Sequence, residues 1–307
     1  MAKKKNGVDK ELEVFDKKRN SEESAVPKIV FTAHDLVKIH PKTENQGIYC
    51  NLYDQKIVVT DGEKRDTNIM CIGSPGTGKT FLAIYKALEE VIALQEKEKI
   101  VIIRSVVETR QRGFLPGTEE EKEAPFELPY VGICDELIKY QWRNYERLKK
   151  SGIIHFESTS NLRGLTFNDS VVIVDECQNL NLHELDTIIT RLGHNSRIIF
   201  CGDYAQSDLL YNKNDQSGLP EFLKVTDRMS SFKTVKFEAK DIVRSGVVRE
   251  YILAKNALEI EEFNKKKAQA QAQSQENKWF KVNKENGSGH FFSFTLFYAI
   301  IKPPRIH

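Results

Sequence analysis

Gly73-Ser74-Pro75-Gly76-Thr77-Gly78-Lys79-Thr80 fits the phosphate-binding pattern G-x-x-x-x-G-K-[ST] at every fixed position. Its flanks have the matching character. Asn68-Ile-Met-Cys-Ile72 reads as a short buried strand. Phe81-Leu-Ala-Ile-Tyr-Lys-Ala-Leu-Glu-Glu-Val-Ile92 reads as an amphipathic helix. Glycines let backbone N–H groups turn toward phosphate oxygens, and the new helix offers the same anion its positive end. In such a loop Lys79 reaches the β- and γ-phosphates of ATP and Thr80 holds Mg²⁺. The bland alternative is a glycine-rich turn with no ligand. Strand, loop and helix in the right order argue against it.

Outward from this unit, apolar strands alternate with helical patterns. Strands are expected at Asn68–Ile72, Ile100–Ile103, Ile153–Glu157, Val171–Val174, Arg197–Cys201 and Thr234–Phe237. Near-continuous apolar runs such as Val171-Val-Ile-Val174 suit strands covered on both faces, hence a mainly parallel sheet. Helices are expected at Asp135–Lys150, Leu182–Leu192 and near Val247–Glu262. The fold class is therefore α/β, a P-loop NTPase with a doubly wound sheet flanked by helices. Residues 1–40 read as a flexible arm, either solubilising or contacting a phosphate backbone, and 41–262 as the core. Residues 263–289 are low-complexity and read as a linker or a solvated extension of the preceding helix. The apolar tail, 290–307, is too short to span a bilayer as a helix. An added strand, a docking segment and a cloning remnant all fit it.

The 307 residues are 40% hydrophobic and 29% charged, which suits a globular chain with a sizeable core. With 46 basic against 44 acidic residues, any nucleic-acid surface must be local. The five cysteines are scattered without a C-x-x-C pair, so a reducing cytoplasm and no disulfide framework are expected. No secretory signal and no membrane segment are read.

Val171-Val-Ile-Val-Asp175-Glu176 is the second signal. In a doubly wound sheet, the carboxyl end of a strand faces the ligand crevice. Asp175 is expected to hold Mg²⁺ through its water shell, and Glu176 to orient and deprotonate the attacking water. The alternative is a surface acidic turn. After the next strand comes Gly202-Asp203-Tyr204-Ala205-Gln206-Ser207-Asp208. Gln206 is placed to bond both the γ-phosphate and that water, so it would report the state of the nucleotide. Gln46, in Lys42-Thr43-Glu44-Asn45-Gln46, carries an amide that matches the N6/N7 edge of adenine. Arg104, Arg110, Arg112 and Phe114 combine cations with a ring, as a phosphate track with a stacking platform does; an ordinary charged loop fits equally.

These pieces together resemble the PhoH-like family of ATPases, the phosphate-starvation-inducible type, whose motifs are akin to those of superfamily-one helicases. The match runs from about Thr43 to Ala257. It is carried by Gly113-Phe-Leu-Pro-Gly117, Leu162-Arg163-Gly164-Leu-Thr166-Phe-Asn168-Asp169, Asp175-Glu-Cys-Gln178-Asn179, Gly202-Asp-Tyr-Ala-Gln206-Ser-Asp208-Leu, Ser217-Gly218-Leu219 and Asp241-Ile-Val-Arg244-Ser. Arg104-Ser-Val-Val-Glu-Thr-Arg110, with its short link to Gly113, looks most like phage-encoded members. Cys177 stands where the usual residue is Ala, Leu165 where many members carry a second Arg, and Ser105 where a Pro is usual.

The resemblance implies a single RecA-like core, ATP hydrolysis with Mg²⁺, and single-stranded nucleic acid as partner, RNA before DNA. Some members carry an appended nuclease domain; the 40 or so residues before this core are too few, so no nuclease activity is expected. Helicases with such motifs take an arginine from a second core domain, whereas the motifs read here account for one core only. A neighbouring subunit is the natural source, in a head-to-tail ring; the resemblance points to six copies. The donor expected is Arg244, then Arg191. The alternative for Arg244 is a surface pairing with Asp241 or Glu250. Two functions stay open: an ATP-driven nucleic-acid motor, or a nucleotide-dependent switch with slow hydrolysis.

Overall fold

Six apolar segments pair side by side in one parallel sheet, in the order β5-β4-β6-β7-β3-β8. They are β3 (Asn68–Gly73), β4 (Lys99–Arg104), β5 (Ile154–Ser158), β6 (Ser170–Asp175), β7 (Arg197–Gly202) and β8 (Phe232–Phe237). Every residue of the central strands β6 and β7 is buried, as their unbroken apolar runs require. The edge strands β5 and β8 instead alternate buried and open positions, with Lys233 and Lys236 outward on β8. Charged side chains on an edge also discourage pairing with another chain. This is a computed structural model. It describes residues 30–58, 62–106, 118–139, 143–203 and 217–258, with single helical positions at 261, 265, 269 and 273.

Alternate residues of each strand feed two cores. On one face Ile69, Cys71, Ile102, Ile173 and Ile199 meet α1 (Glu44–Asp54), α2 (Lys79–Leu88), α3 (Glu119–Leu137) and α4 (Asn144–Lys150). On the other, Met70, Val101, Val172, Val174 and Phe200 meet α5 (Leu182–Ile189) and α6 (Leu219–Thr226). Each large apolar side chain so buried contributes roughly 1.5–3 kcal/mol. The expected doubly wound α/β sheet is what forms.

Some expectations need correction. The helix expected over Asp135–Lys150 is two helices. Between them Ile138 makes an antiparallel bridge to Leu36, and Arg143 takes a left-handed turn at φ 58°. Helix α3 begins far upstream, at Glu119, where a Thr118–Glu121 capping box secures its first turn. Pro125 and Pro129 lie inside it at exposed positions, each removing one hydrogen bond to the carbonyl four residues earlier. Residues 30–40, assigned to the flexible arm, are packed: Phe31 and Leu36 enter the core, and the Val37 N–H donates to the Leu137 carbonyl. A short antiparallel hairpin, β1 (Lys56–Val58) and β2 (Lys64–Asp66), precedes β3. The unit that carries the sheet ends at Ser245, and a second begins at Gly246 with a helix over 246–258. The linker and the apolar tail lie outside the described residues save three helical positions. All five cysteines are free thiols. No helix among the described residues is long and apolar enough to cross a membrane.

At the amino ends of the strands sits a buried ionic cluster. Arg197, which opens β7, donates to the Tyr53 carbonyl at 2.6 Å and pairs with Asp66 at 3.1 Å and Glu90 at 3.2 Å. Lys97 donates to Asp66 at 2.7 Å and to Asn195 at 2.6 Å. The Tyr53 hydroxyl closes the set on Glu90 at 2.5 Å.

Candidate active site

The carboxyl ends of β3, β7 and β6 build the crevice. β7 lies between the other two, so Gly202 and Asp203 stand between the phosphate loop and Asp175. The loop starts where β3 is pinned to β8. Gly73 takes φ +150°, and a Cβ there would sit 1.9 Å from the Phe237 carbonyl oxygen. Only glycine fits. Gly78 ends the loop in a left-handed conformation and caps α2 without a side-chain bond, which leaves the first N–H groups of that helix to a ligand.

The loop is internally braced. Thr77 is fully buried and its hydroxyl donates to the Ser74 carbonyl at 3.0 Å. Lys79 Nζ donates to the carbonyls of Gly73 at 2.6 Å and Ser74 at 2.8 Å. Thr80 Oγ1 donates to Asp175 Oδ1 at 2.7 Å, so these two candidate metal residues meet. A hydroxyl and a carboxylate are hard oxygen donors of the kind Mg²⁺ takes. Burial, reinforced by the Glu176 charge, pushes the Asp175 carboxyl above its ordinary range; Thr80, Arg104 and Tyr130 oppose it. A divalent cation at this point would offset that burial, and the donor set fits such a metal.

Glu176 is half-buried and held in a left-handed backbone conformation, φ 52°. Its Oε2 accepts from Gln178 Nε2 at 2.6 Å, and Gln178 Oε1 accepts from the Asp203 N–H at 3.0 Å. Gln178 thus ties the acid to the end of β7. Sequence reading gave Gln178 no role. Cys177, the departure from Ala, is buried with its thiol against Gly202, and burial pushes that thiol well up.

Gln46 is 4% exposed, with both ends of its amide engaged by the chain: Nε2 donates to the Thr77 carbonyl at 2.9 Å and Oε1 accepts from the Lys42 N–H at 2.7 Å. It braces the loop from behind. Nearby, Asn45 Nδ2 donates to Asp241 at 2.7 Å, and the Val243 N–H donates to the Gly76 carbonyl at 3.0 Å. Arg244, exposed, therefore follows a residue bonded to its own phosphate loop. Arg191 follows α5; its carbonyl accepts from Phe167, ahead of β6, at the opposite end of the sheet.

Arg104 ends β4 directly across from Asp175 on β6. It stands half-buried beside the metal carboxylate and Tyr130, not in an open loop. Arg110, Arg112, Phe114 and Gln206 lie outside the described residues. Tyr130, which sequence reading missed, donates from α3 to Asp175 Oδ2 at 3.0 Å.

The family model described as PhoH-like protein matches residues 38–256. A PhoH-like protein of Mycobacterium leprae is 32% identical over 217 residues, 70% of this chain and 57% of its own length. A PhoH-like protein of Bacillus subtilis is 33% identical over 192 residues, 62% of this chain and 59% of its own. Protein PhoH of Escherichia coli is 32% identical over 180 residues, covering 58% and 50% respectively. The matched stretch spans little more than half the length of these relatives. It contains the phosphate loop, the Asp175–Glu176 pair and the strand between them, and on this match the chain belongs to the PhoH-like protein family.

Proposed function

We propose that the chain binds ATP with Mg²⁺ at the carboxyl end of its sheet and hydrolyses it, in the cytoplasm, in step with single-stranded nucleic acid, RNA before DNA. The observation that carries the nucleotide reading is the 2.7 Å bond from Thr80 to Asp175, closed across an intervening strand beside Lys79. Thr80, with Asp175 acting through the water shell, would hold the metal, which would supply positive charge at the phosphate oxygens. Lys79 leaves the carbonyls of Gly73 and Ser74 for the β- and γ-phosphates. Glu176 aligns and deprotonates water once Gln178 releases or redirects it. Catalysis of this kind is positioning and electrostatics.

A second reading, a slow nucleotide-dependent switch, is favoured by one feature: Lys79 and Glu176 both rest on partners within the chain. Steady-state ATP hydrolysis with single-stranded RNA, single-stranded DNA and neither separates the two. A coupled enzyme is stimulated; a switch is indifferent to both. Lys79→Ala should abolish nucleotide binding and hydrolysis in either case.

We further propose that a head-to-tail ring, six copies by family likeness, completes the site. Arg191 stands at the far end of its own sheet, so it reaches a nucleotide only in a neighbour, whereas Arg244 starts beside its own loop. Mixing Lys79→Ala chains with Arg191→Ala or Arg244→Ala chains tells them apart. Recovery of activity marks an arginine that acts in trans, and no recovery with either removes the ring from the mechanism.

A further inference from the structure

We propose that Tyr130 is a positioning residue for the metal carboxylate: its hydroxyl, directed by Arg104, holds Asp175 turned so that the other oxygen stands beside Thr80. The inference deepens the ATP–Mg²⁺ reading and rests on it. Asp175 is 5% exposed and uses both oxygens, Oδ1 toward Thr80 at 2.7 Å and Oδ2 toward Tyr130 at 3.0 Å. A carboxylate is free to rotate about its last bond unless both oxygens are held. A hydroxyl can ligate a cation through a lone pair while its proton still goes to a carboxylate, so Thr80 fixes one oxygen of Asp175 and Tyr130 fixes the other.

The direction of the Tyr130 bond follows from the inventory of donors. Arg104, across from Asp175 on the neighbouring strand, stands beside the same phenol. A carboxylate and a guanidinium leave the phenol one choice: its single proton goes to Asp175, and its oxygen faces the cation. The ring cannot swing away. It is fully buried, packed at 6.1 Å from Phe156 and 6.5 Å from Tyr145, centroid to centroid. The resulting chain is Arg104 to Tyr130 to Asp175, an outer shell that orients a metal ligand without touching the metal.

Tyr130→Phe deletes one oxygen and keeps the ring. The measurement is binding of a fluorescent ATP analogue, first in EDTA and then across a Mg²⁺ titration. In EDTA, affinity is set by the phosphate loop, so the variant should match wild type; that match also shows that it is folded. Across the titration its Mg²⁺ midpoint should rise about 10-fold, the low end for loss of an outer-shell partner. A midpoint equal to wild type overturns the assignment while leaving the ATP–Mg²⁺ reading intact. Loss of analogue binding in EDTA also overturns it, because Tyr130 would then serve the fold and not the metal. A wild-type protein whose binding ignores Mg²⁺ sinks the metal reading and this proposal with it.

Discussion

At the amino end of the sheet, Arg197 and Lys97 are boxed in with Asp66 and Glu90, two cations against two acids, every pair within salt-bridge reach. At the carboxyl end, Asp175 is held by two hydroxyls and Glu176 by one amide. Both ends bury charge. The first end completes its own neutralisation, so its energy goes into the fold. The second hydrogen-bonds its acids through neutral donors, and the guanidinium beside Asp175, that of Arg104, does not offset burial. Burial pushes Asp175 up and, at the other end, Glu90 as well; there the Lys97 bond and the charges of Arg197, Lys97 and Lys56 outweigh burial only at Asp66, which falls below its ordinary range. A buried charge paired within the chain is architecture; one awaiting a partner is a site.

The sharpest break comes at Glu176. Glu176→Gln keeps shape and removes the base, so single-turnover hydrolysis should fall about 10²–10⁴-fold with nucleotide binding retained. Hydrolysis at the normal rate would remove Glu176 from its role. At the other end, Arg197→Met should leave Asp66 and Glu90 to share Lys97 as their buried cation and lower stability by about 3–5 kcal/mol. Denaturant unfolding would show this, and nucleotide affinity measured well below the melting transition should hold. If affinity falls in parallel, the two ends are not separable. Gln178→Ala is gentler: it frees Glu176 from one charge-assisted bond, worth about 1.5–3 kcal/mol at most, so hydrolysis should change by roughly 10-fold with little change in affinity. No change would show that Gln178 only packs.

The smallest effect is in acid. Asp66 is depressed, so its contribution is present above the unfolded carboxyl value of about 3.9 and is lost as pH falls through the lower folded value. Asp175 is raised, so its sign is opposite: it favours the fold when protonated and loses that as pH rises. Unfolding of the nucleotide-free protein in EDTA should therefore weaken below about pH 4, and Asp66→Asn should flatten that limb. An acid limb unchanged in Asp66→Asn would assign it to other carboxylates.

The inner strands β3, β4, β6 and β7 were legible because buried parallel strands need unbroken apolar runs. Even the sheet edges were written in β5 and β8, where polar residues alternate. Helix α3 was not legible: two prolines and an acidic start hide it, and only the Thr118–Glu121 cap announces it. The hairpin β1–β2 is too short and too charged to show a period. At the site, Lys79, Thr80, Asp175 and Glu176 were readable because local motifs fix them. Tyr130 and Gln178 were not, since their roles depend on which strands lie side by side. Arg104 shows the same limit. By composition it belonged with Arg110 and Arg112; by strand register it faces Asp175.

Neighbouring strands lie about 4.8 Å apart, so two such steps separate β3 from β6. β7 fills that interval and acts as a gauge block: its thickness sets the span that Thr80 and Asp175 close. Small residues line its tip, and Gly202 leaves the Cys177 thiol just enough room. A side chain at position 202 would act as a shim against Cys177 and Gln178, and through Gln178 it would shift the hold on Glu176. The calibration of this site is thus kept in a strand that carries none of its proposed chemistry.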